Sequence, residues 1–131
     1  MNKINAKVIN IESVENLNIV TFSTNTTQLK MMSLDIPKNL KLDSRVVLSF
    51  KATTVALAKG LQGELSYSNQ LSSKIVSLKV GALLCSLNLE FEEFNFESII
   101  TVDSQKRMHL QREDKVIALI KSSDLSILEV L

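Results

Sequence analysis

One cysteine, one proline, one tyrosine, one histidine, three glycines and no tryptophan leave this 131-residue sequence short of the residues on which much specialised chemistry is built. A lone Cys85 excludes an intramolecular disulfide and any cysteine-based metal cluster, and inside the run GALLCSLNL it reads as a small core residue. His109 stands beside Lys106 and Arg107 with no second histidine to share a cation. No direct metal ligands are therefore assignable, and an exposed turn is its expected place. Lys and Arg total 15 against 14 Asp and Glu, a net charge of +1, so the one-signed field that draws nucleic acid or an anionic membrane surface is missing. A nucleic-acid-binding groove also needs stacking aromatics, of which the chain has few. No stretch approaches the ~20 consecutive apolar residues of a membrane span, and no export signal is read, so a cytoplasmic protein is expected. Neither a Ser-His-Asp set nor a glycine-rich phosphate loop is assignable, and the chain does not read as an enzyme.

Repetition is what the sequence does contain. KATTVAL at Lys51–Leu57 returns as KSSDLSI at Lys121–Ile127, an offset of 70 that also relates Leu40 to Leu110, Asp43 to Glu113, Arg45 to Lys115 and Val46 to Val116. Nearer the start of each half, INAKVINI (Ile4–Ile11) echoes LSSKIVSL (Leu71–Leu78) at an offset of 67, so the second copy has gained three residues in its middle. Two copies are expected, 1–60 and 61–131, joined by a linker at about 58–65 that holds Gly60 and Gly63. Units this small bury too little surface to stand alone, which implies shared cores.

Within each copy the apolar period is two. RVVLSFK puts Val46, Leu48 and Phe50 on one face, and KVIALIK repeats the pattern with Val116, Ala118 and Ile120. After each lysine a few small polar residues intervene before alternation resumes at Val55 and Leu57, or at Leu125 and Ile127; each copy thus closes as strand, polar corner, strand. The paired segments AKVINIESV and LNIVTFSTN, like SKIVSLKV and ALLCSLNLEF, read as strands joined by turns. LDIPKNLKL and DSQKRMHLQRED read as short helical or irregular connections, with Pro37 opposing a long helix in the first. The run EFEEFNFE (Glu90–Glu97) reads as one amphipathic strand, or alternatively as an oligomer contact through its three phenylalanines. The expected class is all-β: two tandem OB-like small β-barrels with short helical connections.

The doubled strand–Lys–small–Ser/Thr corner, preceded in SYSNQLSSKIVSLKV by Ser-x-x-Asn-x-Leu-x-x-Lys-Ile, resembles the Mop or TOBE molybdate-binding domains. Two in tandem resemble the di-Mop arrangement. The second copy is similar over Ser66–Leu89, Glu97–Leu110 and Asp114–Leu128; the first is similar at AKVINI, SLDIPKNLKL and RVVLSFKATTVAL, without the opening Ser motif. This resemblance implies binding of molybdate or tungstate at interfaces between Mop units of a homo-oligomer, dimer or trimer, with no organic cofactor. Such modules also serve as effector or regulatory parts of molybdate-responsive regulators and transporters. The chain carries no helix-turn-helix or P-loop, so a standalone storage or homeostasis protein is the preferred reading.

Carried over from the family, the oxyanion-binding residues would be Lys121 and Ser122 at the second corner, Ser66 and Asn69 in the opening motif, and Thr101 and Ser104 on the connecting turn. The first copy would offer Lys51, Ala52 through its backbone N–H, and Ser33 at the position of Thr101. The chemistry suits these residue types: a tetrahedral dianion needs four oxygens satisfied by hydroxyls and N–H groups, with a cation to offset its desolvation. Set against this, Ser122, Ser123, Thr53 and Thr54 are also ordinary turn formers, and a strand-end lysine is ordinarily solvated. The family commonly has Ser-Ala-Arg-Asn where this chain has Ser66, Tyr67, Ser68 and Asn69, so a fixed, always-charged donor fork is missing from the expected site.

Overall fold

Apolar alternation sets the strands in a computed structural model that describes residues 1–131. The first copy contributes β1 (Asn2–Val14), β2 (Leu17–Ser23), β3 (Gln28–Ser33), β4 (Arg45–Phe50) and the short β5 (Ala56–Ala58). The second contributes β6 (Asn69–Val80), β7 (Leu84–Phe91), β8 (Phe94–Thr101), α1 (Val102–Arg107), β9 (Lys115–Ile120) and β10 (Ser126–Val130). Both lysine corners become single 3-10 turns, Ala52–Thr54 and Ser122–Asp124, each entered from a lysine in extended conformation. Of the two expected connections only the second is helical: Thr101 caps α1 by accepting the Ser104 N–H, whereas the stretch around Pro37 stays irregular.

The strands make two five-stranded antiparallel sheets, ordered β10-β4-β1-β2-β3 and β5-β9-β6-β7-β8, curled in the OB-like manner expected. Curling has a local cause repeated in both. β1 is bulged between Val8 and Asn10 and β6 between Ile75 and Ser77, at equivalent positions, and a bulge bends its strand and increases twist. The connection before the fourth strand ties each bend down: Asp43 N–H donates to Val8 O at 2.8 Å, and Glu113 N–H donates to Ile75 O at 2.8 Å. Asp43 and Glu113 take positive φ, 69° and 77°, to make that turn.

The exchange of last strands governs everything that follows. β5 leaves the first copy to pair with β9, Leu57 lying opposite Ala118, while β10 crosses back to β4, Ile127 opposite Leu48. Residues 56–58 of the expected first unit and 126–130 of the second therefore sit in each other's sheets. A single apolar cluster results, running from Ile4, Phe22 and Leu48 to Leu71, Leu89 and Ile120, and Phe50 meets Phe96 edge-to-face across the copies at 5.3 Å. Cys85 is buried in this core, and burial pushes its thiol pKa up, which keeps it in the unreactive protonated form.

EFEEFNFE does not run as one strand. Phe91 pairs with Phe94 across a two-residue turn, with Glu92 at φ 53°, so the segment is the β7–β8 hairpin tip. Phe91 and Phe96 are buried and Phe94 packs against the core, so the phenylalanines serve packing within the chain. Turning the chain there frees Glu92 to reach the other copy. Its carboxylate accepts from Thr24 Oγ1 (2.7 Å), Thr26 Oγ1 (2.5 Å), Thr26 N–H (2.9 Å) and Asn25 N–H (3.1 Å). Partial burial raises the Glu92 pKa, but the hydroxyl and N–H donors outweigh it and hold the carboxyl below its ordinary value. A depressed carboxylate pKa stabilises the fold above the unfolded value of about 4.3 and stops doing so as pH falls through the lower folded value. Glu92→Gln is expected to cost about 1 kcal/mol at pH 7 by urea denaturation, allowing for solvent screening. That cost should shrink as pH falls below the unfolded value and through the lower folded one; a pH-independent difference would mean the charge is not what the threonine turn holds.

A second tie joins the linker to the connection after α1. Lys59 Nζ donates to Met108 O (3.3 Å), His109 O (3.1 Å) and Asp114 Oδ2 (3.1 Å). The Gln111 N–H and then Lys59 hold the Asp114 carboxyl below its usual range. His109 lies exposed in the turn, as its surroundings in the sequence imply.

Candidate functional site

Because the last strands are exchanged, each corner is carried onto the other copy: the first packs on β8 and the second on β3. Period two on β3 points Leu29 and Met31 inward and leaves Lys30 and Met32 outward, facing the second corner. A surface cavity of about 400 Å³ opens between them. From the second copy it is lined by Lys121, Ser122 and Ser123 of the corner and by Ser66, Tyr67 and Ser68 ahead of β6. From the first come Lys30 and Met32 of β3 and Ile19 of β2. Two ammonium groups and four hydroxyl-bearing serines line it, with no carboxylate among them. Neither lysine is taken up in an ion pair within the chain.

Of the residues inferred from sequence, Lys121, Ser122 and Ser66 share this cavity. Ser33 lies just beyond, lining a smaller cavity of about 260 Å³ with Ser123, and its hydroxyl donates to Asp35 O at 2.6 Å. Asn69 has a different task. It is fully buried, its Oδ1 accepting the Lys30 N–H at 2.7 Å and its Nδ2 donating to Lys30 O at 2.9 Å. β3 is a sheet edge, and the carboxamide meets its outward-facing peptide groups as a neighbouring strand would. Asn2, 67 positions earlier, does the same for Glu97 on the other edge strand, β8, at 2.8 and 2.9 Å. Thr101 and Ser104 are joined to each other at the α1 cap, with Arg107 Nη2 on Ser104 Oγ at 3.2 Å, and do not line the cavity. Lys51 and Ala52 form the first corner, apart from this cavity.

Lys30 is the residue that sequence reasoning passed over. An outward lysine on an alternating strand gives no sign that a corner beginning 91 residues later, at Lys121, will sit on it, and only the strand exchange brings the two together. Electrostatically the cavity suits a small anion: two cations in a polar rim, hydroxyls that rotate to suit the acceptor, and part of the wall apolar from Ile19 and Met32. No group of three His, Cys, Asp or Glu side chains is arranged to hold a metal cation.

The TOBE domain family matches residues 65–127. The molybdenum-pterin-binding protein 1 of Clostridium pasteurianum is 37% identical over 65 residues, which are 49% of this chain and 96% of that protein. The chain belongs to the Mop/TOBE family of molybdate-binding domains. A Mop protein of that size accounts for about half of the chain, in agreement with an internal repeat. Two solved structures resemble the fold. The molybdate-binding protein from Sporomusa ovata covers 51% of this chain and 100% of its own length, at 24% identity and a TM-score of 0.50. The cytoplasmic molybdate-binding protein ModG, solved with molybdate bound, covers 96% of this chain and 94% of its own at 20% identity, with a TM-score of 0.87. The likeness to ModG extends over both Mop copies, so the tandem fold with its two sheets is shared as a whole. These relatives are named for binding rather than for catalysis.

Proposed function

We propose that the chain binds molybdate, and tungstate with it, at the cavity between β3 and the second corner, as a cytoplasmic storage or homeostasis protein. The observation that carries this reading is the convergence of Lys121 and Lys30, from different copies, on a carboxylate-free rim of serines in a Mop fold. Lys30 supplies there the positive charge that the Ser68 position, where the family commonly has arginine, does not. The ammonium groups neutralise the dianion, and the serine hydroxyls donate to the remaining oxygens. Cytoplasmic placement follows the description of ModG.

Met32, which lines the cavity, and Leu34, just past the end of β3, are 42% and 70% exposed. In this reading a second copy of the chain covers them and closes the site, so that binding and homo-oligomerisation support one another. Molybdate and tungstate present the same tetrahedral acceptors at nearly the same radius and are expected to bind with comparable affinity. Sulfate, with shorter bonds to oxygen, cannot reach all the donors at once. Calorimetric titration of anion-free protein tests this: saturable heat with the two larger oxyanions is expected, with sulfate weaker by about tenfold or more, or 1.4 kcal/mol. No heat with any of the three, from folded protein, overturns the reading.

A further inference from the structure

We infer that the two halves of this tandem repeat are unequal, and that Glu97 closes the first corner to oxyanions. The inference rests on the binding function proposed above for the second corner. Pseudo-symmetry allows the two corners to be compared residue by residue. Asn69 brackets the backbone of Lys30 and Asn2 brackets that of Glu97, so Glu97 occupies on β8 the place of Lys30 on β3. Strand registers agree: Lys30 lies opposite Thr21 and Glu97 opposite Asn88, while Met32 opposite Ile19 corresponds to Ile99 opposite Ser86.

At the second corner this face offers an ammonium group beside Lys121. At the first it offers a carboxylate on the strand against which the Ala52–Thr54 turn, entered from Lys51, is packed. Two changes act in one direction, and a third brings no compensating donor. The charge at the strand position is reversed, Lys30 to Glu97. The corner hydroxyl of Ser122 is replaced by the methyl of Ala52. The hydroxyl that the first corner gains, on Ser86, is already committed, since Ser86 Oγ donates to Glu97 Oε2 at 2.5 Å. An arriving dianion would meet a like charge and lose donors, and like charges brought together are strongly disfavoured when partly desolvated. Gene duplication supplied two corners; the side chains equip one of them for an anion. The carboxylate at the other is the chain's own negative group in the position where the bound oxyanion would need positive charge.

Substitution of Glu97 is a clean test because its tie to Asn2 uses only backbone atoms, which any residue retains. Equilibrium dialysis against molybdate, with bound molybdenum counted per chain, should be run on wild type, Lys51→Ala, Lys121→Ala, Glu97→Lys and Glu97→Lys/Lys51→Ala. Wild type is expected to saturate at one oxyanion per chain, to be unmoved by Lys51→Ala, and to weaken about tenfold or more with Lys121→Ala, as loss of a charge-assisted hydrogen bond requires. Glu97→Lys should raise saturation toward two per chain, and the added Lys51→Ala should return it to one. Loss of half the wild-type uptake in Lys51→Ala would make the corners equivalent and overturn the inference while leaving molybdate binding intact. An unchanged capacity in Glu97→Lys would equally remove Glu97 as the determinant. Absence of uptake by wild type would instead overturn the functional reading together with the inference.

Discussion

Replacing both Lys30 and Lys121 by alanine will abolish measurable molybdate binding at micromolar protein while leaving the fold unchanged. Each ammonium group is expected to make a charge-assisted hydrogen bond to the oxyanion, worth about 1.5–3 kcal/mol, so each single substitution should weaken binding roughly tenfold to a hundredfold. In the proposed site the two lysines share one ligand, one from β3 and one from the corner, so their contributions are expected to be coupled: the first removal lets the anion shift toward the remaining cation. The double variant loses that recourse, and an uncompensated dianion must then be desolvated by hydroxyls alone. Both side chains are exposed and free of ion pairs in the chain, so thermal stability without ligand should be within about 0.5 kcal/mol of wild type, as for ordinary surface substitutions. Calorimetry on the two singles and the double, with melting curves alongside, distinguishes lost binding from lost folding. If Lys30→Ala alone had no effect while Lys121→Ala removed binding, the site would belong to the second copy only, and the charge from β3 would be incidental.

Much of the architecture was legible because it rests on local chemistry. Alternation such as Val46, Leu48, Phe50 fixes which face of a strand turns inward, and the offsets between Lys51 and Lys121 or Ile4 and Leu71 expose a duplication without reference to any structure. The corners were readable for the same reason: a lysine followed by small polar residues interrupts alternation at the same place twice. Which sheet each last strand enters was not readable. β5 and β10 have the same apolar pattern whether they return to their own copy or cross to the other, so the exchange leaves no trace in periodicity. The place of Lys30 beside the second corner follows from that exchange and was not readable either. Lys30 drew no reading at all, Asn69 read as a ligand where the structure shows an edge bracket, and EFEEFNFE read as an amphipathic strand where the structure has a hairpin. In that run the left-handed turn at Glu92 is made by a glutamate, a residue type that carries no turn signal.

Asn69→Ala will destabilise the protein far more than the matched substitution Asn2→Ala, although the two side chains make the same pair of hydrogen bonds. The difference lies in exposure. Asn69 is wholly buried, and removing its carboxamide leaves the Lys30 N–H and C=O without partners in a place water does not readily reach; Asn2 is partly exposed, and water can take over the Glu97 groups. Each orphaned buried group costs about 1–3 kcal/mol, so Asn69→Ala is expected to lose about 2–4 kcal/mol, against less than about 1 kcal/mol for Asn2→Ala. Asn69→Asp should also fall well short of wild type. A carboxylate can still accept the Lys30 N–H, but it confronts Lys30 O with a second acceptor where Nδ2 had donated. Urea denaturation with unchanged m-values would attribute these losses to the native contact rather than to a change in the unfolded ensemble. The same bracket fixes the backbone from which Lys30 enters the cavity, so Asn69→Ala should weaken molybdate binding as well, by loosening one wall of the site. Equal losses for the two asparagines would show that burial does not set the strength of the bracket, and that the edge of β3 is held by the apolar contacts around it.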